Sequence, residues 1–185
     1  MYLIVGLGNP EREYGNTRHN MGFNTINKLA KQYDIEVNKS KFKGLYGIGM
    51  IEGEKVLLLK PQTFMNLSGE SIKEAIQFYK IELENLIVIY DDIDINPGMI
   101  KLRKAGGPGT HNGMKSVVHE LNTQSFKRVR VGIGMPQNNM NLIEYVIGAI
   151  AEEDKEKLEK GTDLAKDAIV SILKNGIDIA MNQFN

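Results

Sequence analysis

The chain contains no cysteine, so disulfides, thiolate metal centres and cysteine nucleophiles lie outside its chemistry. It also lacks net charge, with 23 Lys and Arg against 23 Asp and Glu. Any attraction to nucleic acid must therefore come from a local basic face. No apolar run approaches the roughly 20 residues of a membrane span. The segment Met1-Tyr2-Leu3-Ile4-Val5-Gly6 has neither the basic leader nor the long apolar core of a secretory signal. We expect a cytoplasmic protein without membrane association. No repeat, low-complexity tract or linker is evident, and the 185 residues read as one domain over 1–185.

What is present is an alternation of short apolar runs and helical patterns. Leu3 to Leu7 reads as a buried strand ended by Gly8-Asn9-Pro10. Asn20 to Tyr33 carries Phe23, Ile26, Leu29 and Ala30 at a helical period. Phe42 to Ile51 and Lys55 to Leu59 predict a hairpin around Glu52-Gly53-Glu54. Ser68 is a candidate cap for a helix through Tyr79. Leu86 to Tyr90 is apolar without alternation, as in a central strand covered on both faces. Met99 to Arg103 predicts a further strand, Asn112 to Leu121 a helix, Arg128 to Met135 a strand with one face of arginines, and Glu152 to about Lys174 a charged amphipathic helix. The expected fold is α/β, a single-domain three-layer globule with a twisted mixed, mostly parallel sheet between helices.

In such sheets, sites gather beyond the carboxyl ends of strands. Four polar segments leave strands here: Gly8-Asn9-Pro10, Pro61-Gln62-Thr63-Phe64-Met65-Asn66, Asp91-Asp92-Ile93-Asp94, and Gly106 to Asn112. Converging, they would join carboxylates and asparagines with His19 and His111. An imidazole is the best base near neutral pH, given a partner to fix its tautomer. Alone, His19 in Asn16-Thr17-Arg18-His19-Asn20 is weakly informative, and His111 has the same chemistry available. Asp91, Asp92 and Asp94 also suit Mg²⁺-assisted phosphoryl transfer, although Asp92 and Asp94 equally suit turn caps. The loop from Gly106 to Thr110 lacks P-loop spacing, so it reads as either a phosphate cradle or a plain tight loop. Lys101, Arg103, Lys104, Lys115, Lys127, Arg128 and Arg130 fall in one third of the chain. If strands 99–103 and 128–135 are neighbours, these residues predict a basic stripe for phosphates; the alternative is a solvated charged face.

Taken together, several segments resemble the bacterial-type peptidyl-tRNA hydrolases. They are Val5-Gly6-Leu7-Gly8-Asn9-Pro10, Tyr14, Thr17-Arg18-His19-Asn20-Met21-Gly22, Lys60-Pro61, Phe64-Met65-Asn66-Leu67-Ser68-Gly69 and Tyr90-Asp91-Asp92-Ile93-Asp94. Gly106-Gly107, His111-Asn112-Gly113, Arg130-Val131-Gly132-Ile133-Gly134 and Ala180-Met181-Asn182-Gln183-Phe184-Asn185 complete the set, in the family's order. The resemblance implies hydrolysis of the ester joining peptide to tRNA, and hence recycling of tRNA from peptidyl-tRNAs that have dropped off ribosomes. It implies His19 as catalytic histidine, Asp91 as its carboxylate, and Asn9 as the residue separating N-blocked from free aminoacyl ends. It also implies Tyr14, Phe64, Asn66 and Asn112 at the acceptor end, with Met65 as an apolar wall. The stripe of Lys101, Arg103, Lys104, Arg128 and Arg130 would then carry the tRNA body. Tyr90, Pro108 and Thr110 depart from the family pattern. No metal or cofactor is expected, and a monomer is. Two other classes stand beside this one: a non-catalytic RNA-binding protein on the same fold, and an Mg²⁺-dependent phosphatase.

Overall fold

Strand β1 (Tyr2–Gly6) sends Leu3 and Val5 into one apolar cluster and Ile4 into another, all three fully buried. A strand covered on both faces needs no polar alternation. The structure, a computed structural model, describes residues 1–10 and 14–185. Six further strands are β2 (Lys39–Lys41), β3 (Gly44–Ile51), β4 (Glu54–Pro61), β5 (Leu86–Asp92), β6 (Ile100–Arg103) and β7 (Lys127–Gly132). They form one sheet in the order β2-β3-β4-β1-β5-β7-β6. The central four, β4, β1, β5 and β7, run parallel; β2, β3 and β6 join antiparallel, which makes the sheet mixed. The expected hairpin joins β3 to β4, with Glu52 at φ 50° and Gly53 at φ 81°. Two successive positive φ values match the right-handed twist of a tight hairpin.

Helices cover both faces. α1 (Met21–Gln32), α5 (Glu152–Asn175) and α6 (Ile177–Phe184) pack on the side of Ile4, Ile87 and Ile89. α2 (Ser68–Tyr79) and α3 (Asn112–Leu121) pack on the side of Leu3, Val5 and Val88. A short helix, α4 (Leu142–Ile147), sends Val146 into the first of these cores. Ser68 begins α2 instead of capping it: Leu67 is the flanking residue, and the Ser68 hydroxyl donates back to the Met65 carbonyl at 2.7 Å.

Two glycines set how α1 meets the sheet. A Cβ on Gly6 would lie 2.1 Å from the Gly22 carbonyl oxygen, and one on Gly22 would lie 2.4 Å from the Leu7 nitrogen. Only bare backbones fit there. That contact holds the turn before α1, with His19 in it, against the carboxyl ends of β1 and β5.

Candidate active site

Asp91 is the penultimate residue of β5 and its side chain is almost fully buried. His19 lies in the short 3-10 turn Arg18–Asn20, and His111 caps α3. The His19 Nδ1 atom lies 2.9 and 3.0 Å from the two Asp91 carboxylate oxygens, and the His111 Nε2 atom lies 2.9 Å from Oδ1. Burial alone would push the Asp91 carboxyl up, but the two imidazoles hold it well below the usual carboxylate range. It is therefore ionised and only accepts, so both facing nitrogens donate.

That assignment fixes both rings. The His111 Nδ1 atom accepts from the Met114 N–H at 3.2 Å. Its Nε2 carries the proton given to Asp91, so both of its nitrogens are occupied. His19 carries its proton on Nδ1, which leaves the Nε2 lone pair for the cleft. Burial works to lower the pKa of His19, but the Asp91 charge and hydrogen bond outweigh it and hold the imidazole above its ordinary value of 6.5. Of the two histidines that the sequence leaves open, the one free to take a proton is His19.

Asn9 follows β1 and is held on two sides. Its N–H donates to the Asn20 side-chain oxygen at 2.7 Å, and the Asn20 amide donates to its carbonyl at 3.1 Å. The Met65 N–H donates to Asn9 Oδ1 at 3.0 Å, so the Asn9 amide presents its NH₂ end as donor. Asn20 is a positioning residue that sequence reasoning missed, since an asparagine at a helix entry reads as an ordinary cap.

Other expected site residues divide. Asn112 lines an open cleft together with His19, Tyr90, Asp91 and His111. Phe64 and Asn66 stand exposed on either side of Met65. Met65 itself is buried, its sulfur close against Gly113, so it acts beneath the surface through its N–H and not as a wall that substrate touches. Tyr14 is half-buried in the turn before His19, where its carbonyl accepts from the Thr17 N–H and hydroxyl. Four apolar residues that line the same cleft, Ile93, Leu142, Ile143 and Val146, were also missed. Asn141 followed by an apolar run was the available signal, and it does mark a helix start, its side chain accepting from the Ile143 N–H.

The expected basic stripe needs correction. β6 and β7 are neighbours, with Lys101 opposite Arg130 and Arg103 opposite Arg128. However, Arg128 is 1% exposed. It donates to the Gln124 carbonyl at 2.8 Å and the Gly107 carbonyl at 3.4 Å, and lies over the Phe126 ring. It props the loop at 106–107 from inside. The Arg130 Nε atom donates to Asp92 Oδ2 at 2.8 Å, and Lys104 pairs with Asp178 at 2.5 Å. Lys101 and Lys115 remain exposed, and Arg103 is partly so.

Asp92 behaves as a turn cap, its Oδ1 accepting from the Asp94 N–H at 2.8 Å while Oδ2 holds Arg130. With both oxygens engaged, Asp92 is a poor magnesium ligand. Among the described residues, the group able to bring three metal ligands together is His19, Asp91 and His111, within 4.8 Å of one another. There the nitrogens nearest the carboxylate carry protons directed at it, which fits a hydrogen-bonded chain better than a cation. No helix among the described residues is long and apolar enough to cross a membrane.

Comparison with known proteins gives the family. The family model described as peptidyl-tRNA hydrolase matches residues 3–185. The chain is 51% identical to the peptidyl-tRNA hydrolase of Caldanaerobacter subterraneus over 185 residues, covering all of both proteins. It is 50% identical to that of Clostridium botulinum, covering all of this chain and 96% of the relative. The crystal structure of the Acinetobacter baumannii peptidyl-tRNA hydrolase superposes with a TM-score of 0.92 at 40% identity, covering 99% of this chain and 93% of that one. A uridine phosphorylase from Vibrio fischeri superposes at 0.52 with 11% identity, a likeness of fold alone.

Proposed function

Because the chain belongs to the peptidyl-tRNA hydrolase family, we propose that it hydrolyses the ester between peptide and tRNA with His19 as general base. The observation that carries the reading is the contact between His19 Nδ1 and Asp91: the ionised carboxylate accepts a hydrogen bond from Nδ1–H, which leaves the unprotonated Nε2 for the cleft. A water between Nε2 and the ester carbonyl gives up a proton as its oxygen bonds to carbon. The ester C–O bond then breaks, and the imidazolium returns the proton to the departing ribose oxygen. Asp91 stabilises the imidazolium in the interval. General-base help of this kind is worth about 10²–10⁴-fold.

Neutral amides suit the rest of the work. A developing oxyanion needs donors, each worth roughly 3–4 kcal/mol in other hydrolases; Asn112 lines the cleft beside His19, and this supports it over Asn66. Asn9, with its oxygen held by Met65, offers an NH₂ group. A peptide carbonyl can accept from it, whereas the ammonium of a free aminoacyl end has only donors and loses hydration without recompense. One chain supplies all of these groups, so the reading needs no second copy. Exposed Phe64 suits stacking of a base at the acceptor end, and Lys101, Lys115 and Arg103 suit phosphates.

The test is release of N-acetylated amino acid from N-acetyl-aminoacyl-tRNA by the purified protein. Turnover is expected with the parent chain, with a fall of at least about 10²-fold in kcat for His19→Ala and little change in tRNA binding. Equal losses in kcat and binding would mean that His19 only positions substrate.

A further inference from the structure

Residues 180–185 share the family likeness, yet none of them lines the catalytic cleft. Their place is at the edge of the sheet, which ends at β6. Ile100 and Leu102 of that strand face a core, while Lys101 is exposed and Arg103 partly so. β7 pairs along one side, and an edge strand leaves backbone groups open on the other. Asn185 closes that side at Leu102. Its Oδ1 accepts from the Leu102 N–H at 2.7 Å, and its NH₂ donates to the Leu102 carbonyl at 3.1 Å. One side-chain amide thus stands in for a neighbouring strand. The same carbonyl accepts from Arg103 Nη1 at 2.9 Å. Asn185 is held in its turn, because α6 is anchored by buried Ala180, by the Ser171 hydroxyl donating to Gln183 Oε1 at 2.5 Å, and by the Lys104–Asp178 pair.

Arg103 lines a second hollow with Arg128, Arg130, Asp92 and Asp94. Three guanidinium groups against two carboxylates leave it positive. Arg128 is engaged by carbonyls and Arg130 by Asp92, whereas Arg103 is in no ion pair among the described residues. We propose that Asn185 is a positioning residue for tRNA: by fixing the Leu102 peptide it fixes the carbonyl that holds the Arg103 guanidinium ready for a phosphate. The proposal rests on the reading above, in which Arg103 meets tRNA phosphate. A carbonyl has two lone pairs, so Asn185 and Arg103 can share it. Without the amide, this part of the edge strand loses its outer partner and Arg103 its anchor. A phosphate must then order a side chain that the free protein no longer holds, and binding weakens.

The test measures kcat and KM on N-acetyl-aminoacyl-tRNA for the parent chain, Asn185→Ala, Asn185→Asp, Arg103→Ala and the Asn185→Ala/Arg103→Ala double variant. Asn185→Ala should raise KM about threefold to tenfold, the scale of one lost hydrogen bond. It should leave kcat within about twofold, as when binding alone is lost. Asn185→Asp keeps the shape and the acceptor but loses the donor and draws Arg103 to its own charge, so KM should rise at least as far. Arg103→Ala should raise KM and reduce the slope of log KM against log salt by about one. Adding Asn185→Ala to it should change KM by less than about twofold, because the two residues act as a unit. A parent-like KM in Asn185→Ala or Asn185→Asp, a kcat that falls as far as KM rises, or effects that multiply in the double variant would overturn the proposal alone. A parent-like KM in Arg103→Ala would remove the phosphate contact and the proposal with it. Absence of turnover by the parent chain would overturn the hydrolase reading as well.

Discussion

Asp91 accepts from two imidazoles at once, and at the scale of single residues this decides the division of labour. His111 spends both nitrogens, one on Asp91 and one on the Met114 N–H; it steers the carboxylate, and the carboxylate steers His19. The active form needs His19 neutral, and its pKa is held above 6.5 by the Asp91 charge and hydrogen bond, against burial. The acid limb of kcat/KM against pH should therefore have its midpoint above 6.5, activity being lost as pH falls through it. Asp91→Asn removes the raising influence while burial remains, so the limb should move to lower pH as the plateau falls by about 10²–10⁴-fold. A limb that stays in place would mean that another group titrates. His111→Ala, acting through Asp91, should cost less in kcat than His19→Ala; a larger loss would assign the proton transfer to His111. Taken by themselves the residues left His19 and His111 both open as the base, and the resemblance to the family pointed to His19 with Asp91. The choice lies in a backbone N–H three residues along α3, which no residue pattern displays.

At the scale of elements, legibility followed burial. α3 begins and ends where its period predicts, at Asn112 and Leu121, because half of its surface faces a core. β2 was not foreseen: Lys39-Ser40-Lys41 is exposed throughout and pairs with β3 through backbone alone. α4 and α6, six and eight residues long, are too short for a period to stand out, although α4 forms one side of the cleft. β7 was foreseen with its arginines outward, yet Arg128 points in. A long side chain can reach two carbonyls and an aromatic face, and alternation does not encode that reach. Arg128→Ala should leave the Gln124 and Gly107 carbonyls short of a donor and cost about 2–3 kcal/mol, a fall in Tm of roughly 5–10 °C. Lys101→Ala, at an exposed position, should leave Tm within about 1 °C. A thermally silent Arg128→Ala would mean that the loop at 106–107 does not depend on it.

At the scale of the molecule, the parallel order β4-β1-β5-β7 lines up the carboxyl ends of strands far apart in sequence. Asn9, Met65, Asp91 and the 106–112 loop meet there. The convergence anticipated from α/β topology is what the fold delivers. Charge is also arranged locally, since a neutral chain exposes Lys101, Lys115 and Arg103 near that end while Asp92 offsets Arg130. In a plot of log KM for tRNA substrate against log salt, Lys101→Ala and Lys115→Ala should each reduce the slope by about one. Arg130→Ala should reduce it less, and a larger change would show Arg130 leaving Asp92 for a phosphate.

Everything catalytic in this account comes down to where one proton sits on His19. The most direct measurement is the ¹⁵N spectrum of the two imidazoles in the substrate-free protein, recorded above the pH at which His19 titrates. His19 is expected to be protonated on Nδ1 with a bare Nε2, and His111 to be protonated on Nε2. A proton found on His19 Nε2 under those conditions would contradict it.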